Sequence, residues 1–387
     1  MKIAIVWNYD SRVVDCSFRF EQYLSGFRVL GHQPTVVCTR ASAEGFEGPV
    51  EIAESAAVFE DAGFWESVAA EVALIVTWLG MVEVLEAIRR AGTRIIAIAD
   101  TDGLIGLRLH PLIALERMIV YQNGWVERAK CVKYWLGRYL TEGFKGSAED
   151  RERLASVRQS DLLVLCSPQA QRHFERFLEH CGEPQLSRRL FAAPFIIGDV
   201  FLSSPVPESK APRIAAIGRW QDPQKHPALL VAALSRVLDQ RPATEVVLFG
   251  AGGERWFDPF AEKYPTVSYL GPRYLHEVAV TLGTCRAVFI PSRWESGPHI
   301  ATEGLAMGAT IVGPAIPGLV SWSESGRFGR IAPSSRPRTL ARALCQELDD
   351  WDQGRRDPQA IAETWRGRLA PERVCGQLLE ALRAVSP

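Results

Sequence analysis

Short apolar runs separated by longer amphipathic stretches recur along the whole chain, and this alternation limits the fold more than any other feature. Lys2–Trp7 reads as a buried strand. Phe18 to Leu30 reads as a helix, because Phe20, Tyr23, Leu24, Phe27 and Leu30 recur at i, i+3 and i+4 spacing. Gly31 then ends it. Thr35–Cys38, Ala73–Thr77, Arg94–Ala99 and Leu162–Cys166 read as further strands, each after a helical stretch. Alternating strand and helix predicts a parallel sheet covered on both faces.

The pattern restarts near residue 200. Ser203 to Pro212 is rich in Pro and Ser, lacks apolar periodicity and reads as an interdomain linker. Arg213–Ile217, Glu245–Phe249, Val267–Leu270, Ala287–Ile290 and Ala309–Val312 then read as strands, with helices such as Pro227–Asp239 and Leu275–Leu282 between them. At roughly 150 residues per domain, a chain of 387 residues holds two or three. The expected layout is a first domain over 1–202, a linker at 203–212 and a second domain over 213–370. A last amphipathic helix over 371–387 carries Val374, Leu378, Leu379 and Leu382.

Charge and composition exclude several classes. Lys and Arg total 44 against 45 Asp and Glu, a formal charge of -1, which disfavours a general nucleic-acid binder. Only 7 of the 44 basic residues are lysine, so a lysine inside a motif carries information. The longest apolar run, Val72 to Val82, has 11 residues, whereas a spanning helix needs ~20. The expected protein is cytoplasmic, or at most peripheral at the inner face of the membrane. The eight cysteines form no Cys-x-x-Cys pair, which disfavours a zinc or redox site and suits a reducing compartment.

The stretch from Pro291 to Gly308 carries most of the chemistry. It leaves the carboxyl end of a predicted parallel strand, the edge where open α/β sheets bind ligands. Glu295 and Glu303 are separated by seven residues, and Gly297-Pro298 between them opens a helix from about His299 to Met307. The N–H groups at that helix start, with the dipole, form an anion site. One carboxylate could accept hydrogen bonds from sugar hydroxyls and the other from those of a ribose. Spacing alone fits a strand, a turn and a helix with two solvated glutamates equally well.

A second stretch, Ile217-Gly218-Arg219-Trp220-Gln221-Asp222-Pro223-Gln224-Lys225-His226-Pro227, also follows a strand. A fork donor at Arg219 and a point cation at Lys225 suit a diphosphate. Gly218 allows close backbone approach. A plain strand-to-helix loop with two exposed cations is the competing reading. Phe249-Gly250-Ala251-Gly252-Gly253 is a glycine-rich turn without the G-x-G-x-x-G order. Tyr269-Leu270-Gly271-Pro272-Arg273-Tyr274 ends another strand and could line a base pocket through its backbone.

Taken in this order, these pieces resemble the retaining glycosyltransferases of the GT-B fold, in particular family 4, the glycosyl transferases group 1. The resemblance is densest from 213 to 332 and extends weakly to the first half through Gly31-His32 and Leu165-Cys166-Ser167. It implies an α/β architecture of two Rossmann-like domains with parallel sheets facing across a cleft, and a C-terminal helix crossing back to the first domain. It implies that Arg219 and Lys225 hold a leaving diphosphate. Glu303 would accept ribose hydroxyls. Glu295, helped by the backbone N–H groups of His299 and Ile300, would hold the transferred sugar. Gly218, Gly250, Pro272, Arg273, Gly297 and Pro298 would shape the donor site. The implied reaction moves a hexose from a nucleoside diphosphate sugar, UDP-glucose first and GDP-mannose next. The acceptor would be a saccharide, glycolipid or small molecule. Attack would come on the leaving-group face, with no metal, cofactor or protein nucleophile. Partners would be donor and acceptor, with the chain a monomer or homodimer. The other readings are a non-catalytic GT-B protein that binds a nucleotide-sugar or glycan, and, more weakly, a GT-B epimerase or phosphorylase.

The sequence departs from the family pattern at three places. The first loop reads Trp7-Asn8-Tyr9-Asp10-Ser11-Arg12, with no glycine pair. The loop after residue 99 reads Asp100-Thr101-Asp102 where many members carry a histidine. Asn8, Tyr9, Asp10, Asp100 and Asp102 are therefore the acceptor-side candidates. Pro298 removes one backbone donor after Gly297.

Residues 104–160 contain no convincing strand. Within 105–145 seven basic residues face three glutamates, and aromatics are interleaved. Trp125, Ala129, Val132, Leu136 and Leu140 share one helical face. That spacing favours a core-facing stripe on a helix pair with a solvated basic rim. The competing expectation is contact with an anionic membrane surface.

Overall fold

The computed structural model describes residues 1–7, 13, 17–76, 79–141 and 147–385. They divide into two compact units, Met1–Ile196 with Ala370–Pro387, and Ile197–Leu369.

The first unit opens with β1 (Lys2–Val6), α1 (Ser17–Val29), β2 (Gln33–Thr39), β3 (Val50–Ala53), α2 (Ala62–Val68), β4 (Val72–Ile75), α3 (Val82–Arg90) and β5 (Arg94–Ala99). Three helices follow, with no strand between them among the described residues: α4 (Pro111–Ile119), α5 (Gly124–Thr141) and α6 (Ala148–Gln159). Then come β6 (Leu162–Leu165), α7 (Pro168–His180) and β7 (Leu190–Ala192). The seven strands form one sheet in the order β3-β2-β1-β4-β5-β6-β7, and every pair is parallel. Alternation along β1 explains why the sheet is covered twice. Ala4 and Val6 point into a core with α2, α3 and α7, while Ile3 and Ile5 point into another with α1.

The second unit holds α8 (Asp199–Ser203), β8 (Ala211–Ile217), α9 (Pro227–Gln240), β9 (Glu245–Phe249), α10 (Glu254–Lys263) and β10 (Val267–Tyr269). It continues with α11 (Leu275–Thr284), β11 (Cys285–Phe289), α12 (His299–Ala306), β12 (Thr310–Pro314) and α13 (Pro317–Trp322). It ends with β13 (Gly329–Ala332), α14 (Pro337–Asp352) and α15 (Pro358–Leu369). Its six-stranded parallel sheet runs β10-β9-β8-β11-β12-β13.

The final helix, α16 (Pro371–Ala384), belongs to the first unit. Val374, Cys375, Leu378, Leu379 and Leu382 are buried against Phe20, Leu24 and Phe27 of α1. Four buried aliphatic side chains at ~2 kcal/mol each contribute on the order of 8 kcal/mol. Gly26 makes the fit possible, since a Cβ there would lie 2.5 Å from the Pro371 carbonyl oxygen.

Two expectations are corrected here. The division falls at 196/197 rather than at 202, so 203–212 lies within the second unit. Ile197 and Phe201 are fully buried in the second unit's core. The Lys210 ammonium is buried and donates to the carbonyls of Leu282 at 3.2 Å, Gly283 at 2.6 Å and Met307 at 2.8 Å. Burial pushes its pKa down to about 8. The other correction concerns the stripe on α5. It is not core: Trp125 is 81% exposed, Leu140 58% and Leu136 46%, and the helix buries only Cys131.

Candidate functional site

In the second unit the chain steps outward from β8 through β9 to β10, then returns to the other side of β8 as β11. The strand order therefore reverses at β8. The crevice beyond the carboxyl ends at such a reversal is where open α/β sheets take ligands. The loops leaving β8 and β11 carry most of the residues singled out from sequence.

The loop after β8 folds through a short 3-10 turn, Pro223–Lys225, opened by the Asp222 carboxylate accepting from the Gln224 N–H at 3.0 Å. His226 closes the turn in the left-handed region (φ 54, ψ 55), and α9 starts at Pro227. This bend turns Lys225 toward the neighbouring loop. Its ammonium donates to Glu295 Oε1, and the Ser292 hydroxyl donates to the same oxygen at 2.7 Å. The Lys225 and Glu295 side chains are only 19% and 10% exposed, so the pair is poorly screened.

Three further contacts hold the two loops together around that pair. The Arg293 N–H donates to the Gln224 carbonyl at 2.9 Å. The Gln224 side-chain amide donates to the Trp294 carbonyl at 2.7 Å. Arg293 Nη2 lies 3.0 Å from His226 Nε2. Burial first, and the Arg293 charge second, push the His226 pKa down to about 4. The ring is thus neutral at pH 7 and accepts from the guanidinium through Nε2. Sequence reading missed this pair, because nothing local to His226 announces a partner 67 residues away.

Arg219 occupies a different setting. Its side chain is 74% exposed, with Asp222 at 3.6 Å. The two cations expected to act together are thus an exposed guanidinium and a half-buried ammonium already paired with a carboxylate.

Gly250 makes the site loops compact. It sits at φ +107, and a Cβ there would lie 1.8 Å from the Gly218 carbonyl oxygen, so the loop after β9 presses backbone-to-backbone on the loop after β8. Tyr269, whose side chain had no role in the sequence reading, fastens the same turn: its hydroxyl donates to the Gly250 carbonyl at 2.7 Å and accepts from the Gly253 N–H at 3.1 Å. Pro272 and Arg273 lie exposed beyond β10, with Arg273 3.6 Å from Glu277.

Helix α12 begins at His299 and Ile300 after Pro298, with no side-chain acceptor capping its start. Gly304 lets α12 lie close on β11, since a Cβ there would be 2.5 Å from Val288 Cγ2. Gly297 and Pro298 are buried at the turn before the helix. Glu303, like Glu295, retains 8% exposure.

On the acceptor side, Asn8, Tyr9 and Asp10 lie outside the described residues. Asp100 is exposed just past the end of β5. Asp102 is not available to a ligand in the way expected. It is 4% exposed, pairs with Arg117, and accepts from the Leu104 N–H at 3.1 Å. Burial outweighs Arg117 and raises its pKa above the ordinary value. Among the described residues no group of three or more His, Cys, Asp or Glu is arranged to hold a metal ion.

Chemically, the second unit offers a cation and an acceptor carboxylate in contact beyond the β8 and β11 ends, an exposed guanidinium on the same loop, and a helix start nearby. Comparison with known proteins bears on the fold. Two Rossmann-like parallel-sheet units make this a GT-B fold. HepE of Anabaena, in complex with UDP and glucose, shares it at a TM-score of 0.64 and 14% identity, over 99% of both chains. Sucrose-phosphate synthase from Thermosynechococcus elongatus does so at 0.60 and 16%, over 100% of both. Residues 211–350 match the family model for glycosyl transferases group 1. The D-inositol 3-phosphate glycosyltransferase of Stackebrandtia nassauensis is 30% identical over 146 residues, 34% of this chain and 33% of that protein. The matched part thus spans about a third of that curated relative.

Proposed function

We propose that the chain is a retaining glycosyltransferase that moves a hexose from a nucleoside diphosphate sugar to an acceptor hydroxyl. The observation that carries this reading is the Lys225–Glu295 pair, with Ser292 on the same oxygen, at the point where the β8 and β11 loops meet. A donor's diphosphate is matched by Lys225 and Arg219, and its sugar hydroxyls by Glu295. The start of α12, at His299 and Ile300, adds backbone N–H groups and the positive end of the helix dipole. Negative charge grows on the departing diphosphate in the transition state. Fixed cations and a helix start aimed there stabilise that state more than the ground state. Glu303, one turn into α12, is the candidate for ribose hydroxyls, and the Pro272–Arg273 backbone for the base.

No protein nucleophile or metal enters this scheme. The acceptor oxygen attacks the anomeric carbon on the face the diphosphate leaves, the bond to the diphosphate oxygen breaks, and that diphosphate takes the acceptor's proton. UDP-glucose is the favoured donor, supported by the UDP and glucose of the HepE complex, with GDP-mannose next. A saccharide, glycolipid or small molecule is the acceptor. The site of action proposed is the cytoplasm.

The test is thermal unfolding with UDP, GDP and ADP, then UDP release from the matching sugar donors. UDP should raise the melting temperature, and Lys225→Ala and Glu295→Ala should each remain folded and lose turnover. Turnover retained in both variants would overturn the site assignment. A shift without turnover for any donor would favour a binding scaffold.

A further inference from the structure

Sixteen large apolar side chains are exposed among the described residues, and eight of them lie between Leu112 and Leu140. Half of this exposure is thus concentrated in one helical hairpin. Helix α4 buries no residue and α5 buries only Cys131. Contiguous apolar surface of this kind marks an interaction site.

The arrangement of charge on α5 says what kind. At about 100° per residue, Trp125, Val132, Leu136 and Leu140 fall within an arc of about 80°. That arc faces about 140° away from Cys131, the helix's inward side. Arg128 and Lys133, both exposed, border it at about 60–80° on either flank. The only acid on α5, Glu127, lies on the opposite side and is paired with Lys130 at 2.8 Å. An apolar stripe edged by cations, with its acid turned away, is the pattern of a helix that lies in a lipid–water interface. A second copy fits less well: two-fold packing of this face of α5 would bring like cations together with no acid on that face to offset them. None of the described helices is long and apolar enough to cross a membrane, so the contact is peripheral.

We infer that the exposed face of α5 docks on an anionic membrane. Trp125 and Leu136 enter the boundary between headgroups and acyl chains, and Arg128 and Lys133 contact lipid phosphates. Flotation of the full chain with vesicles tests this at low salt. The vesicles are phosphatidylcholine alone, or with about a third phosphatidylglycerol. The protein should float with the anionic vesicles only. Replacing Arg128 and Lys133 by Gln should lower partitioning about 25-fold, at ~5-fold per cation near the surface. Trp125→Glu should abolish it while circular dichroism and melting stay unchanged, since the side chain is 81% exposed. Absence of binding to anionic vesicles, or equal binding by Trp125→Glu, would overturn the inference. So would a wild-type dimer in sedimentation that Trp125→Glu converts to monomer. No sugar donor is involved, so either outcome leaves the transfer proposal standing.

Discussion

The Lys225–Glu295 contact joins residues 70 positions apart and can be measured as a coupling energy. Lys225→Met would leave the Glu295 carboxylate with the Ser292 hydroxyl in a pocket where it keeps 8% exposure. Glu295→Gln would leave the ammonium without its charge partner. Stranding a fully buried charge costs ~3–5 kcal/mol. Both side chains keep some solvent contact, so about 2 kcal/mol per single variant is expected. The double variant strands neither charge and should cost about 1–2 kcal/mol, giving a coupling of about 2–3 kcal/mol. For a unit of 173 residues, Ile197 to Leu369, 1 kcal/mol moves the melting temperature by about 2–4 °C. The single variants should therefore melt about 4–8 °C lower, and the double variant should recover about half of the summed loss or more. Thermal and urea unfolding of the wild type, both singles and the double give the cycle. Strictly additive losses would refute the claim that the pair couples the two loops. The double variant should also lack UDP release from UDP-glucose. A stable double variant with wild-type turnover would reduce the pair to a structural strut.

Three further outcomes are expected. His226 has a folded pKa of about 4 against 6.5, so its neutral form contributes stability above pH 6.5 that is lost as pH falls through 4. His226→Asn, which tolerates the left-handed backbone, should lose less stability than wild type over that interval in unfolding scans. Gly250→Ala would drive a Cβ to 1.8 Å from the Gly218 carbonyl oxygen. It should lower stability by at least ~2 kcal/mol and weaken UDP binding by calorimetry; unchanged affinity would dissociate this turn from the site. Lys210→Met deletes a donor to three carbonyls, at roughly 2–3 kcal/mol. The Lys210 folded pKa of about 8 lies below 10.5, so its stabilising share falls as pH drops through 8. The gap between wild type and variant should widen from pH 8 to 10.

Central strands were legible because burial on both faces writes them as short apolar runs. Ile3 to Val6 and Ala287 to Phe289 read correctly for that reason. Three strands were not legible. Val50–Ala53 is a sheet edge with one buried residue, Leu190–Ala192 has three residues, and Gly329–Ala332 opens on a glycine. Short or half-covered strands carry too little pattern. Helical periodicity placed Trp125, Val132, Leu136 and Leu140 on one face, yet periodicity records which residues share a face and not what covers it. The site showed the same division. Motif order located Lys225 and Glu295, whereas the Arg293–His226 contact and the Arg117 clamp on Asp102 depend on distant partners and became visible only in three dimensions.

The nested layout of the chain has a consequence for how it is made. Residues 1–196 cannot complete their core from their own sequence, because α1 is covered by α16 near the very end. The second unit, by contrast, is contiguous and has all its residues once Leu369 is synthesised. Ile197 to Leu369 take on the order of 10–30 s to translate at about 5–20 residues per second. Throughout that interval Phe20, Leu24 and Phe27 await their cover. The half that emerges first thus finishes last, and its waiting apolar face is the surface a nascent-chain chaperone would meet.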